Sequence, residues 1–88
     1  MNRIGAIESR LRAALNPEDL EVTDDSAQHV GHEGARGGSG HYSVTIISAQ
    51  FNGQNTLKRH RLVYDALTDM MHKDIHALSI RALAPDEI

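Results

Sequence analysis

The chain has 88 residues, a formal net charge of −3 with its histidines neutral, and no cysteine. That length holds one small core, so residues 1–88 are expected to fold as a single domain without disulfides. No apolar run is long enough to cross a bilayer and no charged-then-apolar leader opens the chain. With the lack of thiols this leads us to expect a cytoplasmic protein that uses no membrane.

Ile4, Ile7, Leu11, Ala14 and Leu15 recur at helical spacing, and Asn16-Pro17 is expected to end that helix. Leu20 and Val22 alternate with Glu21 and Thr23, which predicts a short half-buried strand. Residues 24–40 carry five glycines, His29 and His32, and only Val30 as a large apolar residue. A loop of that length in a compact domain is expected to be flexible and to serve function. Tyr42, Val44 and Ile46 alternate with Ser43, Thr45 and Ile47 as a second strand. Phe51-Asn52-Gly53-Gln54-Asn55 reads as a turn, with Asn55 or Thr56 capping the next helix. Val63, Ala66, Leu67 and Met70 follow the i, i+3, i+4, i+7 pattern of that main helix, and His72 falls in its last turn. Leu78, Ile80 and Ala82 alternate with Ser79, Arg81 and Leu83 as a third strand, and Pro85 ends regular structure.

The order is α-β-β-α-β, an α+β fold. Strands one and two should be antiparallel. Strand three follows through a helix, so it should lie parallel to strand two in a three-stranded mixed sheet, with both helices on one face. This connectivity gathers histidines. Strand one ends, and strands two and three begin, at the same edge, which places His29, His32, His41, His72 and His76 together. His60, in the first turns of the main helix, belongs to the opposite pole. His76 has the strand parity of Leu78 and Ile80, which fits a hydrogen-bonded residue at the rim of the core as well as it fits a ligand. Tyr42 has core parity, so His41 should face solvent or the other face of the sheet. His72 suits the negative end of the helix dipole. Imidazole is a borderline ligand for iron, zinc, copper and nickel, so such an edge could also take up zinc or nickel loosely. A chain without cysteine cannot supply the four thiolates that hold most iron–sulfur clusters.

Phe51-Asn52-Gly53, then Arg59-His60-Arg61-Leu62-Val63-Tyr64, then Ile75-His76-Ala77-Leu78-Ser79-Ile80 form an ordered set late in the chain. Together with Leu20-Glu21-Val22, Asp25-Ser26, His29 and Gly40-His41-Tyr42, this set resembles the BolA-like family from about Ile4 to Glu87. The resemblance implies a fold similar to the type II KH domain, with a short helical turn before the main helix, within Asn52–Thr56. It implies an adaptor that forms a heterodimer with a monothiol glutaredoxin and shares a glutathione-dependent [2Fe–2S] cluster, for iron–sulfur trafficking or iron-linked regulation. The family's late-strand ligand matches His76. Its loop ligand best matches His29, with His32 as the close competitor. The other ligands would be the thiols of the glutaredoxin and of glutathione, and the isolated chain, a monomer or weak homodimer, would bind no cluster. Many family members carry an aromatic residue near the end. This chain has Pro85-Asp86-Glu87-Ile88 there, a departure that bears on C-terminal packing.

Lys58, Arg59 and Arg61 open the main helix beside Gly53 and could hold phosphate, so a DNA-binding transcriptional regulator is the alternative function. The overall negative charge, the lack of a Gly-x-x-Gly loop and the scarcity of aromatic residues weigh against it. Arg61 and Asp65 are also spaced for an i, i+4 pair within the helix. No cysteine nucleophile, no Ser-His-acid order that the topology brings together and no phosphate-binding glycine motif points to an enzyme.

Overall fold

The computed structural model describes residues 3–25, 40–71 and 73–88; His29, His32, His72 and nearly all of the glycine-rich loop lie outside them. The first helix, α1 (Arg3–Leu15), buries Ile7, Leu11 and Leu15, spaced by four residues, while Ala14 is exposed. Asn16 stops it in the left-handed region at φ 43°, donating its N–H to the Arg12 carbonyl at 3.1 Å. Asparagine tolerates that region, and Pro17 cannot continue a helix.

Strand β1 (Asp19–Asp24) pairs antiparallel with β2 (Gly40–Ile47), Leu20 against Ile46 and Val22 against Val44. Strand β3 (Ile75–Leu83) pairs parallel with β2, Tyr42 against Leu78 and Ile46 against Ala82. The sheet order is β1-β2-β3, the mixed three-stranded arrangement expected. On β2, Tyr42, Val44 and Ile46 are buried with the α1 residues and with Val63, Leu67 and Met70 from the second helical region. Glu21, Thr23, Ser79 and Arg81 leave the other face to solvent.

Two details differ from expectation. The short turn ahead of the main helix lies earlier, at Ala49–Phe51. Ser48 fixes it there: its hydroxyl accepts from the Gln50 N–H at 3.1 Å and donates to the Leu15 carbonyl at 2.6 Å, while Phe51 is fully buried. The main helix, α2 (Thr56–Ala66), is capped by Asn55, whose side-chain oxygen accepts the Lys58 N–H at 2.8 Å, but it ends before Met70. Thr68 bonds back to the Asp65 carbonyl at 2.9 Å, and tighter turns carry Leu67 and Met70 into the core. Arg10 holds this region to α1 through a two-pronged pair with Asp69, at 2.6 and 2.9 Å.

Pro85 ends β3 but also starts a second short turn, Pro85–Glu87. No aromatic residue is needed to dock it. Glu87 accepts the Ala84 N–H at 2.9 Å and receives Arg59 through both carboxylate oxygens, at 2.6 and 2.8 Å. Arg59, followed by the Ala84 N–H, holds the Glu87 carboxyl down to about 2. The stability Glu87 contributes is therefore fully present above its ordinary value of 4.5 and lost as the pH falls to about 2. Glu87→Gln should lower the melting temperature at neutral pH, and the gap from the parent chain should close on acidification to about pH 2. A gap that stays constant across that range would exclude the ion pair as its source.

Candidate functional site

His76 does not follow the parity its neighbours suggest. Gly40 is opposite Ile75, but His41 is opposite Ala77, so β3 carries one extra residue where it enters the sheet. That residue is His76. Ile75 is buried, His76 and Ala77 are exposed, and Leu78 turns back towards the core. A bulge re-aims side chains in this way, and here it moves an imidazole from the rim of the core into solvent. Periodicity alone could not reveal it, because a one-residue insertion leaves the alternation after Ala77 intact.

Gly40 makes this approach possible. A Cβ on it would lie 2.2 Å from the Tyr42 ring and 2.4 Å from the Asp74 carbonyl oxygen. Only glycine lets β2 start so close to the turn that delivers β3.

The bulge brings His76 to His41, with ring centres 5.2 Å apart and planes at 47°. His41 occupies the face opposite Tyr42, as its parity predicts, but its pairing with His76 was not legible in the sequence. On the other side of His41, Asp25 donates its N–H to the His41 carbonyl at 2.6 Å, and its carboxylate accepts from the Ser43 hydroxyl. An acid just past the end of β1, an imidazole on β2 and a second imidazole on β3 thus lie in one row at this edge. The positions proposed for the loop ligand, His29 and His32, lie outside the described residues, although the loop that carries them leaves and rejoins the sheet at this row. Among the described residues no group of three or more metal-ligating side chains converges; the two imidazoles in contact at this edge are His41 and His76.

The basic residues lie at the other pole. Arg59 donates to the Ala82 carbonyl at 3.1 Å, six residues along β3 from His76, which is about 20 Å at the rise of a strand. Arg59 also donates to the Gln54 carbonyl at 2.8 Å, so with Glu87 its guanidinium is committed to holding the C-terminal turn. Lys58 and Arg61 are exposed and line an open groove of about 250 Å³ with Gln54 and Leu62. The Arg61–Asp65 pair suggested by spacing is not among the ion pairs of the described residues. His60 is half-buried on the same helix.

Residues 11–87 match the family of BolA-like proteins. The chain is 44% identical over 87 residues to SufE-like protein 1, chloroplastic/mitochondrial, of Arabidopsis thaliana, covering 93% of this chain and 24% of that protein. It is 38% identical over 74 residues to the DNA-binding transcriptional regulator BolA of Escherichia coli, covering 84% of this chain and 68% of that one. The solved BolA domain of SufE1 from Arabidopsis thaliana superposes with a TM-score of 0.86 at 42% identity, over 100% of this chain and 98% of that domain. The chain spans only 24% and 56% of the lengths of two Arabidopsis relatives it matches. Fold, matched span and identity agree: the chain belongs to the BolA-like family.

Proposed function

We propose that this chain is a non-catalytic adaptor that pairs with a monothiol glutaredoxin and shares a glutathione-dependent [2Fe–2S] cluster, for iron–sulfur trafficking or iron-linked regulation. The observation that carries this reading is the exposed His76, turned out by the bulge beside the base of the histidine-bearing loop. Two imidazoles on one iron of such a cluster are established chemistry, and the donor set fits. The chain would contribute His76 and a loop histidine, His29 or its neighbour His32. It has no thiolate, so the sulfur ligands must come from the glutaredoxin and glutathione. Among the described residues no helix is long and apolar enough to cross a membrane. The reading is tested by mixing the chain with cluster-loaded monothiol glutaredoxin and following the visible spectrum. No change on mixing would reject it.

The Escherichia coli relative is by its name a DNA-binding regulator, which favours a second reading, DNA binding; the end that would meet phosphate is Lys58–Arg61, on the exposure of Lys58 and Arg61. Because Arg59 is held by Glu87, the residues left to meet phosphate are Lys58 and Arg61. Lys58→Gln with Arg61→Gln should weaken any DNA binding and reduce its salt dependence by about two phosphate contacts. An unchanged salt slope in a binding titration would place the contact elsewhere.

A further inference from the structure

We propose that His41 and His76 together form a two-imidazole site for a borderline divalent cation of the zinc class, bound by this chain without a partner. The proposal does not rest on the cluster reading and uses a residue, His41, that the cluster reading leaves idle.

The geometry comes first. The ring centres are 5.2 Å apart. An ion about 2.1 Å from a nitrogen of each ring lies about 3.2 Å from each ring centre, and at the tetrahedral angle the centres are then about 5.2 Å apart. The observed spacing matches the one two imidazoles on a single tetrahedral ion would adopt. The scaffold comes second. His41 sits on the central strand, and His76 is held against it by the bulge and by the close approach at Gly40. Both rings are therefore anchored on sheet backbone, a placement that needs no ordering of the loop. The surroundings come third. His76 is exposed, so an ion can reach it, and Asp25, one residue past the end of β1 and bonded to the Ser43 hydroxyl, places a carboxylate beside the row.

Two ligands fill half of a tetrahedral shell. The remaining positions are open to water or to ligands from another molecule, the pattern of an exchangeable rather than a structural zinc site. A consequence follows for the histidine edge as a whole: zinc and any other metal species that uses His76 exclude each other.

The test is a zinc titration of the whole chain by calorimetry, with histidine ring resonances followed by NMR and no glutaredoxin present. The expected result is one zinc per chain with the His41 and His76 rings both shifted. His41→Gln and His76→Gln should each weaken binding by at least about tenfold, since even residues that only support metal ligands contribute 10–100-fold. Changing both should be little worse than changing one. His29→Gln with His32→Gln should leave the affinity at the parent level. Both tested rings lie on the solvent side of the sheet, and the NMR spectra report directly whether each variant is folded. No zinc uptake by the parent chain, parent-like affinity in folded His41→Gln, or loss of binding only in the loop variant would each overturn the proposal. The last pattern is that of a loose histidine-rich loop, and parent-like His41→Gln is that of two rings in simple contact. Because glutaredoxin is absent, failure here leaves the cluster reading standing. Failure of the glutaredoxin mixing experiment likewise leaves this site standing.

Discussion

His76→Ala should abolish the visible spectral change that follows mixing with cluster-loaded glutaredoxin, while leaving the fold intact. The fold should survive because the bulge puts this side chain in solvent: Ile75, not His76, is the buried residue where β3 enters the sheet. Removing an exposed side chain leaves no cavity, so the stability change should stay within about 0.5 kcal/mol. The spectral change should vanish because no cysteine can take the imidazole's place. His29→Ala should weaken the spectrum, and adding His32→Ala should weaken it further if the two loop residues stand in for each other. The parent chain alone, reconstituted anaerobically without added thiols, should hold no stable cluster. A normal spectrum from His76→Ala would remove this residue from the ligand set.

The element order and the mixed sheet were legible because the strands alternate over most of their length and the helices carry apolar residues three and four apart. The helical connection between β2 and β3 then required β3 to run parallel to β2, and that alone placed His41 and His76 at one pole and Lys58–Arg61 at the other. Arg59's commitment to Glu87 was not legible: nothing local links two residues from opposite ends of the second half of the chain, and the pair exists only because the C-terminal turn folds back over α2. The missing terminal aromatic signalled that this packing would differ, without saying how. The His41–His76 contact was hidden for another reason. Strict alternation gave His76 core parity and His41 the opposite face, which separates them. One extra residue in β3 cancels that separation, and a bulge of this kind has no composition of its own. The signal that could have exposed it is Gly40, a glycine at the first position of a central strand, where close backbone approach is the usual cause.

Gly40→Ala should therefore be more damaging than Gly53→Ala. The added Cβ meets the Asp74 carbonyl oxygen at 2.4 Å and two atoms of the Tyr42 ring at 2.2 and 2.9 Å. Neither neighbour can yield cheaply. Asp74 is backbone, held in the turn by its N–H to the Met70 carbonyl at 2.9 Å, and Tyr42 is a buried core residue. The cost of such overpacking is typically about 1–3 kcal/mol, and a backbone clash belongs at the top of that range or above it. Gly53→Ala is the control. Gly53 has φ 73° but nothing within 4 Å of a new Cβ, so it pays only the strain of the left-handed region, about 1–2 kcal/mol. Urea unfolding of the two variants compares them directly, and Gly40→Ala should have the lower midpoint. The damage should also be local in a specific way. Relief of the clash must push the entry of β3 away from β2, which separates His76 from His41. Any folded Gly40→Ala protein should therefore lose zinc affinity although it retains every histidine. If Gly40→Ala proves no less stable than Gly53→Ala and keeps the ring contact between His41 and His76, then the close approach of β2 to the Asp74 turn is not what sets the histidine pair.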